Sequence, residues 1–128
     1  MTVRTVRTVA GLGEPVGAFS QAVIANGFVY TSGQIPTTVA GKVPADFESQ
    51  LRATLGNLRL LLDSVGSGLD HVVKVNGYLT HRDQLEPYNR IYRAWFGDHL
   101  PARTTVCVDL WGVALEIDCV ATLKDSDD

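Results

Sequence analysis

Apolar residues recur along this chain at two periods, and each change of period marks an element. Val3 to Val9 alternates apolar residues with Arg4 and Thr8, which predicts a first strand, although Arg7 interrupts it. Gly11 to Gly17 holds three glycines and a proline and reads as a loop. Its glycines lack the dinucleotide-fingerprint spacing and no helical pattern follows, which counts against a phosphate cradle. Gln21 to Ala25 and Phe28 to Ser32 are predicted to pair as a hairpin around Asn26-Gly27, whose residues suit a two-residue turn.

From Pro44 to Val65 the period lengthens. Phe47, Leu51, Leu55, Leu58, Leu62 and Val65 recur at helical spacing, and Gly66-Ser67-Gly68 stops the predicted amphipathic helix. His71 to Leu79 returns to a strand pattern, with Val73, Val75 and Gly77 on one side and Val72, Lys74, Asn76 and Tyr78 on the other. A second helix is predicted from near Asp83, where Asp83 and Glu86 have capping-box spacing and Pro87 falls in the first turn. Leu85, Tyr88, Ile91, Tyr92, Trp95 and Phe96 give it a broad stripe that reads as core rather than as a base-stacking platform, and Pro101 ends it.

The final segment predicts two strands joined at Trp111-Gly112, one rich in β-branched residues and the other apolar at alternate positions. Pairing Leu110 with Val113 sets Cys107 opposite Glu116, Thr105 opposite Asp118 and Arg103 opposite Val120. Arg103, Thr105, Glu116 and Asp118 then share one face, and the other face, with Leu115, Ile117 and Cys119, is apolar. In this register Arg103 and Glu116 are about 13 Å apart along the ribbon at about 3.3 Å per residue, a gap that two long side chains can flank around a small molecule. A solvated Glu116 and an Arg103 paired with Asp118 form the alternative.

The element order β, ββ, α, β, α, ββ predicts an α+β sandwich with two helices on one face of a six-stranded sheet. Its other face is then uncovered unless subunits meet there. At 128 residues, 45% hydrophobic and 20% charged, the chain is expected to form one domain over 1–128. No apolar run reaches membrane-spanning length and the opening residues hold no secretory h-region, so a cytoplasmic location is expected. The net charge of −3 argues against an electrostatic grip on nucleic acid. Cys107 and Cys119 are expected as buried thiols on opposite faces without a disulfide, and the tail from Lys124 to Asp128 is expected to fray. His71, His81 and His99 lack the spacing of a zinc site, so no metal is expected. Cys107 shares the charged face, but no histidine has an evident route to activate it.

Five segments together resemble one family: Gly17-Ala18-Phe19-Ser20-Gln21-Ala22, Thr31-Ser32-Gly33-Gln34-Ile35-Pro36, Tyr88-Asn89-Arg90-Ile91-Tyr92, Pro101-Ala102-Arg103-Thr104 and Glu116-Ile117. The chain is similar over nearly its full length to the Rid/YjgF family of reactive intermediate imine deaminases. The resemblance implies a chorismate-mutase-like α+β fold with a mixed sheet, a homotrimer with sites between subunits, and no cofactor. It implies hydrolysis of small 2-imino or enamine acids, such as 2-iminobutanoate and 2-iminopropanoate, to 2-keto acids and ammonia. Carried over by position, Arg103 holds the substrate carboxylate and Glu116 positions water, while Phe19, Gly33, Asn89 and the backbone at Thr105 complete the pocket. Two positions depart from the family pattern. Phe19 stands where tyrosine is usual and removes a hydroxyl, pointing to weaker activity or a bulkier substrate, and Thr105 stands where cysteine is frequent. These departures motivate a rival reading as a non-catalytic ligand-binding or chaperone-like member. RNA cleavage or translation inhibition is a second rival, disfavoured by the acidic balance and the lack of a histidine pair.

The implied chemistry needs an anion clamp and a group to aim water. A guanidinium fork suits the first, because two charge-assisted hydrogen bonds match a carboxylate in a way lysine cannot copy. A carboxylate suits the second, since a protonated imine needs little beyond an oriented water.

Overall fold

The computed structural model describes residues 2–125. Strand β1 (Val3–Val6) leads through the glycine-rich loop to the hairpin β2 (Ala22–Ala25) and β3 (Phe28–Thr31). Helix α1 (Phe47–Ser64), strand β4 (Val72–Leu79), helix α2 (Leu85–Phe96) and strands β5 (Ala102–Cys107) and β6 (Leu115–Thr122) follow. The β2–β3 turn is the one Asn26-Gly27 predicts. Both residues take positive φ, 54° and 81°, which matches the hairpin's twist and which asparagine and glycine tolerate best. Asp46 caps α1 by accepting a hydrogen bond from the Ser49 amide at 2.9 Å, so the helix starts after Pro44 rather than at it. At α2 the expected capping partner is replaced. Gln84, in a short 3₁₀ turn, accepts from the amides of Thr80 and His81, both at 3.0 Å.

The sheet order is β1-β2-β3-β6-β4-β5. This overturns the predicted hairpin at Trp111-Gly112, because β6 runs antiparallel to both β3 and β4 while β5 runs parallel to β4 on its far side. Parallel neighbours must be joined by a crossover rather than a tight turn, and α2 supplies it between β4 and β5. The last strand then inserts between β3 and β4. With β4 separating β5 from β6, the predicted register no longer holds. Arg103, Thr105 and Cys107 stand in register with Val75, Gly77 and Leu79, and these in turn with Cys119, Ile117 and Leu115, on the face that packs on the helices. Glu116 and Asp118 stand in register with Tyr78 and Asn76 and point to the opposite, open face. Arg103 and Glu116 therefore do not share a face within one chain.

The core lies between the helices and the first of these faces. Leu51, Leu55, Leu58 and Leu62 of α1 and Tyr88, Ile91 and Tyr92 of α2 pack on Val29, Val75, Leu115, Ile117 and Ala121. An irregularity between Val72 and Lys74 shifts the phase of β4, so Val72 is buried with Val75 while Val73 is exposed, correcting the expected alternation. Both cysteines are free, but Cys107 is exposed on the edge strand and shares its face with Cys119, which corrects the expectation of two buried thiols on opposite faces. Lys124, expected in the frayed tail, donates its amide to the Gly66 carbonyl at 2.9 Å. The tail residues 126–128 lie outside the described residues. Among the described residues, no helix is long and apolar enough to cross a membrane.

The open face carries Tyr30, Lys74, Asn76, Tyr78, Val106, Glu116, Asp118 and Val120, with Tyr30 48% exposed. Among the described residues no helix packs on it, as the element order predicts.

Candidate functional site

Glu116 sits at the base of a cleft of about 370 Å³ on the open-face side of the sheet. Three segments build the cleft: the loop from Leu12 to Phe19, the strap Gly33 to Thr37, and Asp109 to Val113. The strap lies there because Gln34 pairs with Ile117 beyond the end of β3, donating at 2.7 Å and accepting at 3.0 Å. That pairing turns Gln34 inward and leaves Gly33 over the Glu116 side chain. A Cβ on Gly33 would stand 1.7 Å from Oε1 of Glu116 and 2.6 Å from its Cδ, so only a residue without a side chain permits this approach.

Side-chain amides fix the walls, Gln21 and Gln34 buried and Asn57 half-buried. Gln34 Nε2 donates to Gln21 Oε1 at 3.1 Å, and Gln21 Nε2 to the Gly13 carbonyl at 3.3 Å. Asn57 of α1 donates to the carbonyls of Ile35 and Thr37, both at 3.0 Å. Arg7, the residue that breaks the β1 pattern, donates to the carbonyl of Phe19 and pins the loop that carries this ring.

Glu116 is half-buried and has no hydrogen bond or ion pair among the described residues. Burial raises its pKa above the usual carboxylate value, and the negative charge of Asp118 adds to the rise. Asp118 itself is occupied, accepting from Asn76 Nδ2 at 2.8 Å and the Tyr78 hydroxyl at 2.9 Å. It therefore does not pair with Arg103, and that alternative for the arginine is removed.

Arg103 lies across the sheet, on the helix side of edge strand β5. Its guanidinium carbon stands 5.2 Å from the ring centroid of Tyr88 and 5.0 Å from that of Tyr92. The negative faces of two rings thus hold the cation, which makes no ion pair among the described residues. Tyr88 and Tyr92 are one helical turn apart on α2 with ring centroids 5.5 Å apart. Burial pushes the Tyr88 phenol up strongly and the Tyr92 phenol up to about 12, with Arg103 opposing both rises. Arg103 makes no hydrogen bond or ion pair among the described residues, so its fork is available to an anion.

Thr105 lies two residues further along β5. Its hydroxyl and those of Tyr88 and Tyr92 are buried without hydrogen-bond partners among the described residues. Asn89 is exposed on α2 and lines a second depression, which shares Leu85 with the depression lined by Arg103 and Thr105. The structure thus divides the residues singled out from sequence into two groups. Phe19, Gly33 and Glu116 line the open-face cleft, while Arg103, Thr105 and Asn89 lie on the helix side of the β5 edge.

Tyr88 and Tyr92 read from sequence as core alone, and they are buried, but they also seat Arg103. Gly77 makes room for the first of them, since a Cβ there would stand 2.3 Å from the Tyr88 hydroxyl. The signal was a glycine inside a strand pattern, which marks a close approach by another group. Asn57 and Gln21 gave no such signal of their own, because their partners, backbone carbonyls and for Gln21 also the Gln34 side chain, are groups that only the fold brings near. Among the described residues no cluster of histidine, cysteine or carboxylate side chains has metal-binding geometry.

The Endoribonuclease L-PSP family model matches residues 12–123. A RutC family protein of Synechocystis is 36% identical over 130 residues, covering 96% of this chain and 98% of the relative. A Yersinia pestis protein described as belonging to the conserved Rid family superposes with a TM-score of 0.90 at 31% identity, covering 95% of this chain and 100% of that one. Escherichia coli TdcF, crystallised with bound serine, superposes with a TM-score of 0.88 at 27% identity, covering 94% and 100%. The fold is the chorismate-mutase-like α+β sandwich that the resemblance implies.

Proposed function

Since the chain belongs to the Endoribonuclease L-PSP family, the Rid/YjgF/RutC group, we propose that it hydrolyses 2-imino acids to 2-keto acids and ammonia in sites shared between neighbouring copies of a homotrimer. One observation carries this reading: two oppositely charged groups, each without a hydrogen bond or ion pair among the described residues, lie on opposite sides of one sheet. Arg103 on the β5 edge of one copy, placed over the Glu116 cleft of the next, completes a site with a cation at one end and a carboxylate at the other. The uncovered sheet face supplies the surface for that association, and the serine held by TdcF is a small amino acid of the same size class.

In this arrangement Arg103 binds the substrate carboxylate through paired hydrogen bonds and orients the imine carbon. Glu116 accepts a hydrogen bond from water and aims its oxygen at that carbon. As the C–O bond forms, the water proton passes toward Glu116 and the C=N electron pair moves to nitrogen. Glu116 then returns that proton to the nitrogen, the C–N bond breaks to release ammonia as the hydroxyl oxygen's electrons form C=O, and the hydroxyl proton passes to Glu116, leaving the keto acid. The backbone of Thr105 and the side chain of Asn89 border the arginine half, and Phe19 and Gly33 border the glutamate half. Two free thiols suit a reducing compartment such as the cytoplasm.

Subunit complementation tests the reading. Arg103→Ala and Glu116→Gln should each abolish acceleration of 2-iminopropanoate hydrolysis. If unfolded together and refolded at equal ratio, they should recover about a quarter of wild-type activity, since random mixing gives about one site in four both native groups. No recovery from correctly assembled mixed oligomers would refute the shared site. No acceleration by wild type would refute the activity and favour a ligand-binding role. RNA cleavage by the purified protein that disappears in Arg103→Ala would favour the ribonuclease reading.

A further inference from the structure

Within a single copy the cleft over Glu116 is much larger than a three-carbon imino acid requires, and the composition of the walls this copy supplies says what the surplus space accepts. A volume of about 370 Å³ lies within the range of pockets that enclose whole organic ligands, whereas 2-iminopropanoate has six non-hydrogen atoms. The surplus is apolar: Leu12, Val16, Phe19, Leu110, Trp111 and Val113 line it.

The three amide side chains in its walls already make hydrogen bonds. Both wall contacts of the Asn57 amide nitrogen go to backbone carbonyls, and Gln21 and Gln34 bond each other. Phe19 offers a ring and no hydroxyl. A substrate side chain carrying a hydroxyl or amide would lose its water and find few partners there, while a hydrocarbon would lose only unfavourable hydration. The charged residues lining the cleft besides Glu116 are Glu14 and Asp109, both exposed and acidic, which disfavours a second carboxylate on the substrate.

We infer that the preferred substrates are 2-imino acids with a bulky neutral hydrocarbon side chain, branched aliphatic or aromatic, with Phe19, Leu110 and Trp111 as specificity-determining residues. This rests on the imine-hydrolysis reading and sharpens it. The chemical class of reaction that supplies such substrates is two-electron oxidation of the Cα–N bond of apolar amino acids.

An amino-acid oxidase with catalase generates the imines of alanine, leucine and phenylalanine in situ, and their decay is followed with and without the protein. The leucine- or phenylalanine-derived imine should be hydrolysed with a kcat/KM at least about tenfold above that of 2-iminopropanoate, since each methylene in an apolar pocket is worth about tenfold or more. Leu110→Asp should lower that ratio, and 4-methyl-2-oxopentanoate should inhibit wild type more strongly than pyruvate does. An alanine-derived imine that reacts as fast as the larger ones, with Arg103→Ala abolishing all rates, would overturn the specificity and leave the hydrolysis standing. No acceleration of any imine would overturn both.

Discussion

Gly33→Ala isolates the placement of Glu116 from everything else in the protein. The φ of Gly33 lies outside the left-handed region that disfavours side chains, so alanine introduces no backbone strain and only the new methyl acts. That methyl would stand 1.7 Å from Oε1, and ordinary contact begins at 3.4 Å, so the carboxylate oxygen must retreat by about 1.7 Å. Misplacement of a catalytic group by about 1 Å can cost about 100-fold. That is about 2.7 kcal/mol of transition-state stabilisation. Glu116 is half-buried and can swing toward solvent, so the cost to folding should stay below about 1 kcal/mol. The assay is steady-state hydrolysis of 2-iminopropanoate together with a denaturant melt. The expected result is a fall in kcat of about 100-fold with KM changed little, because the Arg103 clamp is untouched. A folded Gly33→Ala protein retaining kcat within about threefold would show that the position of Glu116 does not govern the rate.

The aromatic seat of Arg103 is tested by Tyr92→Leu, which should raise KM by about 2- to 30-fold through loss of a cation–π contact worth about 0.5–2 kcal/mol. Tyr92→Phe keeps the ring and should restore KM; a Phe variant as weak as Leu would assign the effect to the phenol instead. The raised pKa of Glu116 fixes a sign for stability: the folded state holds this proton more tightly, so its contribution is fully present below about pH 4.5 and is lost as pH rises through the folded value. Glu116→Gln should therefore melt higher than wild type at pH 8, with the gap closing toward pH 4, and thermal melts at the two pH values check this. Leu58, fully buried between α1 and the sheet, should cost about 2–5 kcal/mol on replacement by Ala in urea unfolding, with kcat of the folded fraction preserved.

Local pattern determined the elements. Every strand and helix expected from periodicity is present, because alternation and the helical stripe follow from backbone geometry that each segment carries with it. The turn at Asn26-Gly27 and the helix stop at Gly66 follow equally from local φ preference. The charged pair was also visible, as residue types at the right places in a recognisable set of motifs. What no local pattern contained was the partner of each strand. Trp111-Gly112 has hairpin chemistry, yet β5 finds its neighbour in β4 through a helical crossover, and β6 slides between β3 and β4, burying Ile117 and Cys119 against the helices. Pairing is a long-range choice made by the buried area of the whole sheet. It alone decided that Arg103 stands on two tyrosines while Glu116 stands under Gly33 on the opposite side.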